Sequence, residues 1–381
     1  MIKVCVVTGG RMDYGHLYKV MKEIDASSIF ELQIIATCMH LSPEFGLTFQ
    51  RIKDDGFKIN KKVECLLSSD TPSAVAKSVG IACISFSDAF MDLNPDLIIL
   101  MGDRYEILAA SQVALLMKIR IAHISGGDTT EGAYDEAIRH SITKMSHIHF
   151  VTNIDAYKRV KQLGENPKYI FNVGSPTIDY ILDTPMISKE ELAQKLEFNM
   201  RKINILFTYH PVTLNPEQNR NDLIIILDAL SDLGDDVGIL ITKANADDGG
   251  RLLNQEIKYF TSKNKHAKSY DALGQYLYYN CINIFDCVVG NSSSGLFEVP
   301  SFKKPTVNIG DRQKGRIKSN SVIDCEVNKK KILKAISKAL KMNCDEIVNP
   351  YGEGKSAGKI VSLLETIDIN KIPLQKHFYS Q

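Results

Sequence analysis

Short apolar runs recur along the chain, each closed by small or polar residues. In the first half they are VCVVTGG, LQIIATC, LIILMGD, IRIAHISGG, IHFVTN and YIFNVGS. In the second half they are INILFTYHP, VGILITKAN, DCVVGNSSSG and PTVNIG. None alternates strictly, which predicts strands buried on both faces. Between them lie longer segments of helical periodicity, such as YEILAASQVALLMK and NDLIIILDALSDL. Strand–helix alternation of this kind predicts a parallel α/β sheet, and it occurs twice without any internal sequence repeat.

A chain of 381 residues suits two domains. The stretch from Ile178 to Lys202 is helical in pattern, charged and interrupted by Pro185, so it reads as the connector. The expected division is a first Rossmann-like domain over 1–177, a second over 178–360, and a C-terminal helix over 361–381 packing back on the first. Ligands of open parallel sheets gather at the carboxyl ends of the strands. Polar clusters stand at such ends in both halves: TGGRMDYGH, TCMHLSPEFG, MGDRYE, HISGGDTTEGAYDE, TYHPVT and GNSSSG. The expected fold class is therefore α/β, with two Rossmann-like domains facing across a cleft that holds the site.

Charge narrows the partners. With 46 basic and 45 acidic residues the net charge is +1, giving no long-range pull toward nucleic acid or an anionic membrane. The eight cysteines form no CxxC pair, as expected of reduced thiols in the cytoplasm. The N-terminus reads as a first strand with too short an apolar core for a signal peptide, and no later run is expected to span a bilayer.

The second half carries the anion chemistry. VVGNSSSGLFEVP reads as strand, turn and helix start, where free N–H groups and the hydroxyls of Ser292, Ser293 and Ser294 suit a diphosphate. The same serines could instead serve only as caps. Glu298, one turn further, suits a pair of ribose hydroxyls. There is no GxxxxGK[ST] loop or GxGxxG fingerprint. Arg11 follows the first strand and either reaches a phosphate with its planar fork or pairs with Asp13 at the surface. His210, fixed by Pro211, is a phosphoryl donor or a structural histidine. Arg312 is a third cation with a solvated-loop alternative, and Asn245 is a weaker polar candidate.

The first half carries the titratable groups. Asp103 ends a strand beside Arg104, which could hold its charge, and Glu106 opens the next helix as a dipole partner. Asp128, Glu131, Asp135 and Glu136 crowd one loop, where neighbouring carboxylates tune one another for acid–base work. Within that stretch Asp135 is the choice for chemistry, with Glu136 at the helix start and Arg139 and His140 in the helix body. His147 and His149 share one strand face but lack a third ligand at metal spacing, so no metal or other cofactor is expected.

Together these motifs resemble a known family: the hydrolysing UDP-N-acetylglucosamine 2-epimerases of sialic acid biosynthesis, the NeuC type. The resemblance covers nearly the whole chain through TGGRMDYGHL, HLSPEFG, MGDRYE, EGAYDEAIRHSITKMSH, YHPVT and GNSSSGLFE. It implies a GT-B-like double Rossmann fold in a cytoplasmic homodimer. It also implies conversion of UDP-GlcNAc to N-acetylmannosamine and UDP, by elimination to a 2-acetamidoglucal and hydration. Carried over, Arg11, His210, Ser292, Ser293, Ser294 and Arg312 hold the diphosphate, Glu298 the ribose, and Asn245 lies near the nucleotide. Asp103 and Asp135 match the catalytic acids, Arg104 a substrate-contacting arginine, and His40 lies near the sugar.

One position departs from the pattern. Relatives acting on UDP-GlcNAc carry glutamate between HI and GGD or GGE, and relatives acting on a 2,4-diacetamido-trideoxy sugar nucleotide of the legionaminic acid pathway carry histidine. This chain has Ser125, a poor base. Either Asp128 or Glu131 supplies the carboxylate, or the sugar is the diacetamido one. A non-hydrolysing 2-epimerase of the same fold remains a further alternative.

Overall fold

The computed structural model describes the chain apart from residues 68, 70, 131–133, 213–215, 244–249 and 381. Among the described residues, thirteen strands form two wholly parallel sheets. The first contains β1 (Ile2–Thr8), β2 (Phe30–Thr37), β3 (Lys61–Val63), β4 (Leu97–Met101), β5 (Arg120–Ile124), β6 (Ile148–Val151) and β7 (Ile170–Asn172). Its order is β3-β2-β1-β4-β5-β6-β7. The second contains β8 (Ile203–Thr208), β9 (Val237–Thr242), β10 (Ala267–Tyr270), β11 (Cys287–Gly290), β12 (Thr306–Ile309) and β13 (Val322–Cys325), in the order β10-β9-β8-β11-β12-β13. All ten predicted runs are strands. The three unpredicted ones, β3, β10 and β13, are short edge strands whose polar residues hide the pattern.

In each sheet the central strands are buried on both faces. Leu97, Ile98, Ile99 and Leu100 are all fully inaccessible in β4, and Ile205, Leu206 and Phe207 in β8. Helices cover both sides, as crossover connections between parallel strands require. One helix, Pro72–Leu93, corrects an expectation: by length and composition alone it could cross a membrane. Here it packs Ala82, Phe86, Ala89 and Phe90 into one core layer of the first sheet.

The chain forms two compact units. One comprises Met1–Thr129, Tyr134–Leu182 and Tyr351–Gln381, and the other contains Thr130 and Asp183–Pro350. The crossings thus fall at 182/183 and 350/351 rather than at 177/178 and 360/361. The physical reason for the second shift lies in the helix Ser356–Thr366. Its Ala357, Ile360, Val361 and Leu364 complete the core built by Leu17, Val20 and Met21. Its first turn is capped by Asp179, whose carboxylate accepts from the amides of Ser356 (2.9 Å) and Ala357 (2.6 Å). A carboxylate there meets both free N–H groups and the positive end of the helix dipole.

Candidate functional site

In the first unit, polar side chains collect at the carboxyl ends of β1, β4 and β5. Asp103 follows β4 through Gly102, which takes a left-handed φ of 76° that a side chain disfavours. The expected partner of Asp103 is Arg104. Instead Arg139, only 4% exposed, reaches back from the helix Asp135–Met145 and donates from Nη2 to the Asp103 carboxylate. The Arg139 Nη1 donates to the Asp128 carbonyl at 2.7 Å and to Glu136 at 3.4 Å. Arg139 is thus the organiser of this cluster, where the sequence placed it in the helix body. Its spacing of three from Glu136 was the available signal. Asp135 itself is the first residue of that helix and half-buried.

Arg104 pairs with Glu106 at 2.5 Å. Glu106 is fully buried, and its Oε2 accepts no hydrogen bond among the described residues. Far from being only a dipole partner, it fills the space beside Gly9, where an added Cβ would overlap its Oε1. Asp13 stands in the field of both groups. Burial, opposed by Arg104 and aided by Glu106, pushes its carboxyl up to about 7. That range overlaps the one in which acid–base catalysis operates, and no sequence signal singled Asp13 out. Arg11 is exposed at the start of the helix Arg11–Ala26, and no ion pair joins it to Asp13 among the described residues.

Two candidates are occupied structurally. His40 is fully buried, its Nε2 bonded to Thr8 Oγ1 (3.0 Å) and its Nδ1 to Thr48 Oγ1 (2.8 Å). Burial pulls its pKa down to about 4. Both ring nitrogens are therefore bonded within the unit. Asp128 Oδ1 accepts from Thr152 (2.6 Å) and Asn153 (3.1 Å), which ties the proposed substitute carboxylate into the loop. Ser125 is half-buried with a left-handed φ of 65°, its amide donating to the Phe150 carbonyl at 2.9 Å. Glu131 lies outside the described residues.

In the second unit the organiser is Asn291, just past β11. Its side chain brackets the His210 backbone, accepting from the amide at 2.7 Å and donating to the carbonyl at 2.8 Å. Its own carbonyl accepts from Arg312 (3.1 Å) and Gln313 (2.8 Å). These bonds gather His210, Arg312 and the serine turn at the ends of β8 and β11. The His210 Nδ1 is buried without a partner among the described residues, and burial, reinforced by the Arg312 charge, lowers its pKa to about 4. A neutral imidazole there can still donate a hydrogen bond to an anion.

The serine turn differs from the expected helix start. Ser294–Phe297 is a single turn, so Glu298 stands at its end rather than one turn inside a longer helix. Ser294 accepts from the Tyr278 hydroxyl at 2.9 Å, and Glu298 from Tyr279 at 3.1 Å. Burial raises the Glu298 carboxyl, opposed by Ser294 and Tyr279. Ser292 and Ser293 remain half-buried. Asn245 lies outside the described residues. Among the described residues, no three His, Cys, Asp or Glu side chains converge on a point where a metal could bind.

The family model described as UDP-N-acetylglucosamine 2-epimerase matches residues 22–365. A Campylobacter jejuni protein, the GDP/UDP-N,N'-diacetylbacillosamine 2-epimerase (hydrolysing), is 42% identical over 380 residues, covering 99% of this chain and 98% of its own. The UDP-N,N'-diacetylbacillosamine 2-epimerase (hydrolysing) of Legionella pneumophila is 33% identical over 374 residues, covering 98% of each. In fold, the chain is similar to the crystal structure of the Neisseria meningitidis UDP-GlcNAc 2-epimerase bound to UDP-GlcNAc. The TM-score is 0.83 at 18% identity, over 96% of this chain and 100% of that one. Two parallel sheets with alternating helices, a GT-B-like fold, and the matched residues lead to one assignment: the chain belongs to the UDP-N-acetylglucosamine 2-epimerase family.

Proposed function

We propose that the protein is a hydrolysing 2-epimerase whose substrate is UDP-linked N,N'-diacetylbacillosamine, a 2,4-diacetamido-trideoxy sugar. The observation that carries this reading is the 42% identity, across nearly the full length of both chains, to a hydrolysing epimerase named for that sugar. Ser125 matches neither the glutamate expected of UDP-GlcNAc enzymes nor the histidine expected of diacetamido ones, so it does not itself decide the sugar. UDP-GlcNAc, giving N-acetylmannosamine, is the second reading, favoured by the family description and by less similar relatives named for that sugar.

The reaction runs in two stages. A carboxylate takes the C2 proton as the C1–O bond breaks, UDP leaves with the bonding electrons, and a 2-acetamidoglycal remains. Water then adds its hydroxyl to C1, and a proton returns to C2 from the opposite face. Asp103, held by Arg139, and Asp135 are the proposed proton carriers, and Asp13 is a third carboxyl able to exchange a proton near neutral pH. Departing diphosphate needs donors that await negative charge. His210, Ser292, Ser293 and Arg312 of the second unit, with Arg11 and Arg104 of the first, are the proposed suppliers. Glu298 is proposed to accept from the ribose.

The test is incubation of each UDP-sugar in heavy water. The expected products are free UDP and the 2-epimeric free sugar carrying one deuterium at C2, with kcat/KM at least about tenfold higher for the diacetamido substrate. A product still linked to the nucleotide, or one without deuterium, overturns the hydrolytic reading. A preference for UDP-GlcNAc overturns the substrate.

A further inference from the structure

Of the 11 residues in the helix Asp135–Met145, only Arg139, Ile142 and Thr143 are buried, and of these only Ile142 is apolar. A helix usually commits a wider apolar stripe to its core. This one is set largely by what grips its two ends. Its first half carries Asp135 and Arg139. Its last carbonyls are held from far along the chain, by the C-terminal segment of the same unit. Lys376 donates from Nζ to the carbonyls of Lys144, at 2.6 Å, and Ser146. Carbonyls at a helix end lack partners within the helix, and a cation there also meets the negative end of the dipole.

Lys376 is itself held in place. Its Nζ pairs with the buried Glu165 at 2.7 Å. Glu165 also pairs with Lys144 at 2.8 Å and accepts from His149 Nε2 at 3.1 Å. Burial works against this carboxylate, yet His149, Lys376 and Lys144 hold its pKa down at about 2. The segment is pinned on both sides of Lys376. Upstream, Arg120 donates to the carbonyls of Asn370 (2.7 Å) and Ile372 (2.9 Å). Downstream, the Tyr379 amide donates to the Gly164 carbonyl at 2.8 Å. Phe378 lies where a Cβ added to Gly164 would overlap its ring. His147, whose Nδ1 accepts from the Ile121 amide at 3.2 Å, bonds to the Leu374 backbone. His147 and His149, singled out by their spacing, thus both meet this attachment.

We infer that residues 372–379 form a strap that sets the helix Asp135–Met145 from its far end, with Lys376 as a positioning residue for Asp135 and for the Arg139–Asp103 pair. The kinetic consequence rests on Asp103 and Asp135 being the proton carriers proposed above. The test compares full-length wild type, Lys376→Met and Lys376→Arg. Steady-state kinetics, UDP titration and thermal unfolding are joined by amide hydrogen exchange on peptides of the helix and of β4. Lys376→Met is expected to lower kcat about tenfold or more and to leave KM and UDP affinity within about twofold. Exchange across Asp135–Met145 is expected to rise about tenfold, with β4 unchanged. Lys376→Arg, which keeps a cationic donor at the carbonyls, is expected to restore most of both. Should Lys376→Met not fold, Phe378→Ala loosens the strap while leaving the charges beside Glu165, and is expected to act in the same direction. An unchanged kcat, exchange that rises equally in β4, or a Lys376→Arg no better than Lys376→Met overturns the inference. A wild type that turns over neither UDP-sugar overturns the proposed function instead, and the exchange measurement still decides the strap.

Discussion

Replacing Asp13 by Asn should stabilise the protein more at pH 8 than at pH 5. The unfolded carboxyl titrates near 3.8, and burial raises the folded one to about 7. Below about pH 4 both states hold the proton. Between about 4 and 7 the folded chain keeps a proton that the unfolded chain has lost, so stability falls as pH rises. Above about 7 the whole penalty is present. A displacement of about three pH units, at 1.36 kcal/mol each, sets that penalty on the order of 4 kcal/mol. Asparagine keeps an acceptor oxygen for the amides of Gly9 and Gly10, which bond to the Asp13 carboxylate, and carries no charge to desolvate. Denaturant unfolding of wild type and Asp13→Asn at pH 5 and pH 8 measures the difference. The variant should gain a few kcal/mol between the two pH values relative to wild type, while turnover falls if Asp13 moves a proton. A stability difference that stays flat with pH refutes the argument.

Two other substitutions probe the two units separately. Arg139→Lys keeps the charge but loses the fork that spans Asp103 and the Asp128 carbonyl. Steady-state kinetics should show turnover reduced about tenfold or more, with affinity for UDP within about twofold of wild type. In the second unit, Gly290 has a φ of 135°, and an added Cβ would run into the Thr208 carbonyl. Gly290→Ala should therefore cost about 3 kcal/mol or more, seen by calorimetry as a large fall in Tm. An unchanged Tm would contradict that geometry.

The sheets were legible because a strand buried on both faces must be written almost entirely in apolar residues, as LIILM and ILFT are. β3 (KKV) and β10 (AKSY) escaped because edge strands need not be. Asp103, His210 and the serine turn do follow the ends of β4, β8 and β11, as the motif positions implied. Their partners were not legible. Arg104 is next to Asp103 in sequence, yet its side chain turns to Glu106. Arg139, 36 residues away, makes the bond. Which of two arginines meets a carboxylate depends on the register between a strand end and a distant helix, and periodicity does not encode it. His40 shows the same limit from the other side, since only the fold reveals that two threonine hydroxyls occupy its ring.

The discontinuity of the first unit also bears on how the chain is made. A ribosome releases Met1–Leu182 long before Tyr351, and the core around Leu17, Val20 and Met21 waits for Ala357, Ile360, Val361 and Leu364 to emerge. The intervening unit has all its strands by Cys325 and can finish first. The order of folding is thus inverted relative to the order of synthesis, and the unit that carries Asp13, Asp103 and Asp135 closes only once the stretch from Tyr351 onward has been translated. A premature stop after Pro350 would leave the second unit intact and the first with an open, aggregation-prone core.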